Sequence, residues 1–597
     1  VSENQKPNLI TLTIDGQEVK VAAGTSLIKA AQKVSKEIPH FCYHEGLSVV
    51  GQCRMCFVEI EGSPKLATAC STPASEGMKV LTQSPKVKAG QNATLEFTLL
   101  NHPLDCPICD RGGECKLQDY TYEFGPPLSR LYDDKVLRDK HRPVSEQVIL
   151  DQERCILCTR CVRFSGEVDG RGELVVNNRG NANVIDVFEG RPMESRFSGN
   201  VVDLCPVGAL TAKDFRFEAR PWELVKHEGI CTGCSVGCNI EIHTKHRHTG
   251  IVRPDGLNPE PQIERLMPRE NRSVNDWWMC DKGRWGYHFH NSGDSRLRNI
   301  LVRKGSSLEN SSLKEVQTAI ESQAGEWNFW ISDDLPHEGI AWAKELQQSW
   351  KSRGRNVKGL NSSPLAEKFL SVWKSKSAPT AFFNAPKWNE IQKVVCTHTV
   401  RDLETIAPIL ALRLGQKVRS KTLEWEVRGF DSQFIKSTDN KLSTAFLFAA
   451  PKNIRELDTF SAFDADLKTL PLFERSNSRG LLGEGIVPVE CIAQDLLTVN
   501  TPERLFVFSQ TTQNPIPKAF VEYCKKAKFL IVADSFQNEL TKIANVVLPL
   551  SPLFETPSTL TNLENIQQLS KGIHIEHPNW EYLSRGSSLV NPSLKLI

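Results

Sequence analysis

The chain has 597 residues, 40% hydrophobic and 24% charged, with a net charge of +2. That length corresponds to about four domains. The near-neutral balance argues against nucleic acid as a partner, and no apolar run approaches the length that spans a bilayer. The polar start, Val1 to Asn8, reads as neither a signal nor a transit peptide. Of the 18 cysteines, fifteen lie between Cys42 and Cys280; only Cys396, Cys491 and Cys524 lie beyond. Tight C-x2-C groups on a large chain without a secretory signal point to metal rather than to disulfides.

The first predicted element is a hairpin, Ile10–Ile14 and Val19–Val21 around a turn at Asp15-Gly16. Thr25 is placed to cap a helix whose apolar side is Leu27, Ala30, Ala31 and Val34, ended by Pro39. Cys42, Cys53, Cys56 and Cys70 follow, spaced by ten, two and thirteen residues. A loop with three cysteines and a fourth from a later segment is how a ferredoxin-like domain holds a [2Fe-2S] cluster. Four thiolates also suit zinc, but the hairpin–helix–loop order favours the cluster.

Residues 86–101 read as a helix with Ala93, Leu95, Phe97, Leu99 and Leu100 on its apolar side. It delivers His102-Pro-Leu-Asp-Cys106-Pro-Ile-Cys109-Asp-Arg-Gly-Gly-Glu-Cys115. A lone histidine is usually a cap or a surface residue, yet these three cysteines need a fourth ligand and no spare cysteine lies nearby. Residues 126–146, with Pro126-Pro127, read as a polar connection. Then come Cys155, Cys158 and Cys161 and the distant Cys205-Pro206, a bacterial-ferredoxin signature for [4Fe-4S]. Inward-pointing amides of such a loop bond cluster sulfur. Arg160 and Arg163 either offset cluster charge or lie solvated.

A fourth group is Cys231, Cys234, Cys238 and Cys280, the last in Cys280-Asp-Lys-Gly-Arg284. This C-x2-C-x3-C with its distant C-x-K-G-R resembles the N-terminal [4Fe-4S] segment of molybdopterin oxidoreductases. His243, His246 and His248 alternate as on a strand, and an exposed polar face is their expected place. One binuclear and three tetranuclear clusters need about 16 protein ligands. Fifteen grouped cysteines plus His102 supply that number.

Beyond residue 290 apolar β-type runs alternate with helical stretches: Trp327–Ile331, Leu505–Phe508, a crossover helix over Pro517–Lys526, and Phe529–Val532. This is an α/β pattern with a largely parallel sheet. Neither a G-x-G-x-x-G after a strand nor a P-loop is present. Asn477-Ser-Arg-Gly480, Ala544–Pro549, Glu555 and Asn562 again resemble the molybdopterin oxidoreductase family. No molybdenum ligand stands out, and a reduced scaffold without the cofactor is expected. Cys396, Cys491 and Cys524 are isolated, and buried structural thiols are their default.

The order of the four groups, including H-x3-C-x2-C-x5-C, resembles the large iron–sulfur subunit, of the G or 75 kDa type, of NADH:quinone oxidoreductase, respiratory complex I. The resemblance is most specific over 42–280. It implies a multidomain α+β and α/β chain. Its parts are a [2Fe-2S] ferredoxin-like domain at 1–85, a [4Fe-4S] domain with one histidine and three cysteine ligands at 86–125 and a [4Fe-4S] ferredoxin-like domain at 126–220. A molybdopterin-oxidoreductase-type [4Fe-4S] domain follows at 221–290, and a reduced molybdopterin-oxidoreductase-like α/β region at 291–597. By position, Cys42, Cys53, Cys56 and Cys70 would hold [2Fe-2S]. His102, Cys106, Cys109 and Cys115 would hold one [4Fe-4S], and Cys155, Cys158, Cys161 and Cys205 the next. Cys231, Cys234, Cys238 and Cys280 match an extra [4Fe-4S] of some bacterial members, which points to a bacterial protein. The implied role is a relay of single electrons from an NADH/FMN subunit toward quinone, in a complex that couples this to proton translocation. The implied partners are that subunit, a small [2Fe-2S] subunit, a two-cluster ferredoxin-like subunit and the quinone-site subunits. The implied place is peripheral, on the cytoplasmic side of the bacterial inner membrane, without direct insertion. The alternatives are a molybdenum-dependent, NAD-linked formate dehydrogenase subunit, which needs a pterin-bound metal, an [FeFe]-hydrogenase, which needs a further cysteine cluster, and a zinc scaffold.

Overall fold

The computed structural model describes residues 8–245, 261–292, 295–375, 387–429, 434, 439, 443–449, 468–484, 486–499, 502–555, 557–562 and 566–573. The chain divides into two compact units, Val1–Leu224 and Val225–Ile597.

In the first unit the hairpin forms as the alternation dictates. Leu9–Ile14 pairs antiparallel with Gln17–Ala22, and Asp15 and Gly16 both take positive φ (47° and 82°). That geometry matches the twist of the paired strands. Lys79–Leu81 adds in parallel beside the first strand, and Phe57–Ile60 and Ala67–Thr68 complete a five-stranded sheet. The helix spans Leu27–Lys33 and buries Leu27, Ile28, Ala30 and Ala31. It differs from the sequence expectation at both ends. Ser26, not Thr25, is the N-cap, because Thr25 Oγ1 donates to the Ala22 carbonyl instead. The helix stops at Val34, before Ser35 in left-handed conformation, and not at Pro39.

The next helix, Pro85–Leu99, is capped by Ser84, whose Oγ accepts from Val87 N. Its buried side is Val87, Gln91 and Leu95, one residue per turn. Ala93 and Phe97 of the expected face are exposed, Phe97 by 79%. Of the expected connection 126–146, residues 126–141 carry neither helix nor strand, but Arg142–Pro143 forms a short strand. Leu210–Ala212, Val148–Leu150 and Arg142–Pro143 form a small antiparallel sheet, and Leu174–Asn177 pairs with Val184–Val187.

The second unit opens with an antiparallel sheet of Val225–Ile230, Asn239–Lys245 and Gln262–Pro268. His243 on its middle strand is buried, not exposed. Its Nδ1 accepts from Arg265 Nε at 3.0 Å and its Nε2 faces Glu241 at 3.1 Å. His246 and His248 lie outside the described residues. A seven-stranded sheet forms the largest core. Its strands Trp327–Ile331, Val357–Leu360, Arg504–Phe508, Phe529–Asp534 and Val546–Pro549 run parallel, and Lys518–Lys525 is the expected crossover helix. Trp327, Phe329, Trp350, Phe506 and Phe508 pack in its interior, Phe506 and Phe508 stacked and Trp350 edge-on to Trp327 and Phe329. A second, all-parallel sheet contains Glu424–Val427, Lys393–Cys396, Thr444–Ala449 and Lys468–Leu472. Cys396, Cys491 and Cys524 are buried, as structural thiols are.

Candidate metal centres

The first set grows from the loop between the Leu27–Lys33 helix and the Phe57–Ile60 strand. Cys42, Cys56 and Cys70 are buried and Cys53 is half-buried. Their sulfurs meet in two pairs. The Cys42 thiol bonded to Cys53 pulls Cys53 down to about 5, and that bond together with burial pushes Cys42 up. Cys56 and Cys70 repeat the arrangement, Cys56 being raised and Cys70 lowered. The Cys42 amide also faces Cys53 Sγ at 3.5 Å. In each pair one thiol is shifted toward the thiolate, the form that binds metal.

The second set hangs on the end of the Pro85–Leu99 helix. Cys109 and Cys115 are buried, while Cys106 is exposed. Burial pushes Cys115 up to about 11. Burial first, then Lys135 and Arg154, hold His102 down at about 4. Its imidazole is therefore neutral near pH 7, the state a metal ligand requires. Lys135 is fixed there because its Nζ donates to the Leu99 and Leu100 carbonyls at 3.0 and 2.8 Å, closing the helix C-terminus. Arg154 is buried, donates to Asp105 at 2.9 and 3.1 Å, and stands within electrostatic reach of both His102 and Cys109. Cys109 stands within electrostatic reach of both Cys106 and Cys115. His102 lines a separate open cavity of about 660 Å³ with Cys53 and Cys155.

The third set converges on a single cavity. Cys155, Cys158, Cys161 and Cys205 together line one small cavity, closed by Leu150, Ile156, Val207 and Leu210. Burial and then Cys205 push Cys155 up to about 12 and Cys158 up to about 11. Leu157 and Thr159 have positive φ (53° and 58°), which turns successive amides inward; Leu157 N lies 3.4 Å from Cys155 Sγ. Arg160 and Arg163, for which solvent was one expectation, are both withdrawn from it: Arg163 is 7% exposed and Arg160 is half-buried. The Cys205–Gly208 segment also runs against the second set. The Pro206 carbonyl is 3.8 Å from Cys115 Sγ, and a Cβ on Gly208 would fall 2.1 Å from Cys109 Sγ.

The fourth set lies in the second unit, and all four cysteines are buried. Gly233 N approaches Cys231 Sγ and Gly283 N approaches Cys280 Sγ, each at 3.4 Å. Burial and then Cys234 push Cys231 up to about 12. A Cβ on Gly283 would sit 2.8 Å from Cys231 Sγ. Three amide side chains pin the loop: Asn514 donates to Thr232 O, Asn562 to Val236 O and Gln568 to Gly237 O, at 3.2, 3.2 and 2.7 Å. Asn562 stands out in the sequence. Asn514 and Gln568 carry no pattern that announces them, and neither do Arg154 and Lys135.

The residues that resemble the molybdopterin oxidoreductase pattern make structural contacts. Asn477 Nδ2 donates to Leu335 O at 2.6 Å, and Glu555 pairs with Arg296 and, at 3.3 Å, with His290. The carboxyl ends of the parallel strands, where α/β folds commonly seat ligands, carry the chain's own groups: Asp334 accepts from Arg475 Nη1 at 2.9 Å and Ser476 N at 3.0 Å, and Asp333 accepts from Glu490 N at 2.8 Å.

In the donor chemistry, sets of thiolates, one neutral imidazole, inward amides and glycine cradles fit iron–sulfur clusters. Among the described residues, no three His, Cys, Asp or Glu side chains close to a single-ion site.

Comparison with known proteins gives four matches in chain order. Residues 8–85 match the 2Fe-2S iron-sulfur cluster binding domain, and residues 91–130 the NADH-ubiquinone oxidoreductase-G iron-sulfur binding region. Residues 145–211 match the ferredoxin-like domain of NADH-quinone oxidoreductase subunit 3, and residues 225–292 the molybdopterin oxidoreductase Fe4S4 domain. The G subunit of the NADH-quinone oxidoreductase of Streptomyces coelicolor is 43% identical over 298 residues, 50% of this chain and 34% of that one. The corresponding G subunit of Rickettsia felis is 34% identical over 422 residues, 70% and 59% of the two chains. The mitochondrial NADH-ubiquinone oxidoreductase 78 kDa subunit of Neurospora crassa is 41% identical over 319 residues, 53% and 40% of the two. The matched stretch spans less than two thirds of each relative.

Proposed function

We propose that this chain, whose iron–sulfur domains are those of the NADH-quinone oxidoreductase G subunits it resembles, is an electron-transfer subunit of such an enzyme. It relays single electrons from an NADH/FMN-binding subunit toward quinone. In this reading Cys42, Cys53, Cys56 and Cys70 hold a [2Fe-2S] cluster. Three [4Fe-4S] clusters are held by His102 with Cys106, Cys109 and Cys115, by Cys155, Cys158, Cys161 and Cys205, and by Cys231, Cys234, Cys238 and Cys280. When bound, these clusters supply one-electron transfer without proton or atom movement.

The observation that carries the reading is the closure of the third set: four cysteines up to fifty residues apart line one apolar, nearly sealed cavity. The chain's own part is to hold thiolates, exclude water and place charge, the levers that set a cluster's potential. Partners of the kinds expected from the sequence follow from this role. Large exposed apolar side chains concentrate around the second set, among them Leu104, Ile108, Tyr122 and Trp222, which supports burial against another chain. No described helix is long and apolar enough to cross a membrane. The proposed location is the cytoplasmic side of a bacterial inner membrane, where those partners hold the chain.

Metal analysis of the full chain purified without oxygen tests the proposal. About 14 iron atoms per chain, with neither molybdenum nor stoichiometric zinc, is the expected result. Molybdenum or tungsten would turn the reading toward a formate dehydrogenase subunit, and zinc in a colourless protein toward a scaffold.

A further inference from the structure

Two arginines one helical turn apart, Arg160 and Arg163, tie the first and third cysteine sets together. Arg163 Nη2 donates both to the Cys42 carbonyl and, at 3.3 Å, to the Cys158 carbonyl. One nitrogen thus bridges a ligand of each set. Its Nη1 donates to the Ser48 carbonyl in the loop between Cys42 and Cys53. Arg160 repeats the pattern, donating to the Tyr43 carbonyl at 2.6 Å and to the Leu204 carbonyl, beside Cys205, at 3.2 Å. Around them, Gln52 Nε2 donates to Leu157 O at 2.6 Å and Ser48 N to Glu167 at 2.9 Å. Among the described residues, the buried Nε–H of Arg160 and of Arg163 finds no protein acceptor. A guanidinium is always charged, so two positive charges are held between the sets at any working pH.

We propose that Arg163, with Arg160 beside it, is a positioning residue shared by two redox centres. It locks the binuclear and the Cys155-set tetranuclear centres at a fixed separation, and its charge stabilises the reduced form of both. This rests on the cluster assignment proposed above. Reduction adds one electron to a cluster and no proton, so an adjacent fixed cation favours the reduced form directly. Removing a hydrogen bond in the same seam without changing its charge does not alter that preference.

The test is a potentiometric titration of the full chain followed by electron paramagnetic resonance, for wild type, Arg163→Gln, Arg163→Lys and Ser48→Ala. Arg163→Gln is expected to lower both potentials together by about 59 mV or more, a tenfold shift in the one-electron equilibrium, and to leave the His102 set in place. Arg163→Lys restores both potentials because it keeps the charge. Ser48→Ala removes only the hydroxyl tie to Glu167 and moves neither. If Arg163→Gln fails to assemble, Arg160→Gln takes its place with the same expectation. Both centres present but unmoved, or only one moved, overturns the shared role, as does an equal shift in Ser48→Ala. A wild-type chain lacking both signals overturns the cluster assignment and the inference with it.

Discussion

The second and third cysteine sets lie side by side in sequence and differ in almost everything but their cysteines. The Cys155 set lines one small cavity closed by leucine, isoleucine and valine, and its candidate ligands are all thiols. The set around Cys106 opens to solvent at that cysteine, and the histidine proposed to complete it, His102, is kept neutral by burial and two cations. Yet one segment, Cys205–Gly208, serves both: it ends the third set and packs on the sulfurs of the second. An enclosed set suits a fixed carrier inside the chain. An open set rimmed by exposed apolar groups suits a carrier that faces a partner.

The shared segment is where the contrast breaks most severely. Gly208→Ala would drive a Cβ into Cys109 Sγ. The expected outcome is loss of about four irons per chain, from the second set, with the third set's resonance retained; iron analysis with electron paramagnetic resonance reads this. Next in size is the order of iron loss. Under a chelator and mild oxidant the open set is expected to empty first, and Cys106 to be the first thiol alkylated, with Cys158 and Cys161 protected until later. Mass spectrometry of the labelled peptides reports that order.

Smaller effects tune the contrast. His102→Cys makes the second set all-thiol like the third and adds a negative charge. Its potential is expected to fall, by about 59 mV for each tenfold change in the equilibrium, in the direction that Rieske centres show for histidine against cysteine. Lys135→Met removes a more distant, partly exposed cation. It should lower the same potential by less and, through the lost helix cap, reduce stability by about 0.3–1 kcal/mol. A redox titration and a denaturant curve check the two parts separately.

Much of this was legible in the sequence where the signal is local. The Asp15-Gly16 turn, the cysteine spacings and the apolar runs at 327, 505 and 529 each determine their own element. Long-range packing was not. Phe97 looks like a core residue on a helical wheel but is exposed, because the helix packs instead through Val87, Gln91 and Leu95. His243 looks like part of a polar face, but Arg265 and Glu241 satisfy it in the interior. Gly208 meets Cys109 from ninety-nine positions away, and nothing in either neighbourhood encodes that approach. The same holds for Arg163, a charged residue in a cysteine loop until the fold brings Cys42 to it.

In the function proposed above, this chain conducts single electrons through four separate centres. Anaerobic reductive titration of the purified full chain, counting electrons against the visible absorbance, tests it most directly. Uptake of about four electrons per chain, one for each cluster, with all resonances lost on reoxidation and none needing a pterin, is the expected result. Uptake of none, in a protein whose cysteines bind zinc, would contradict it.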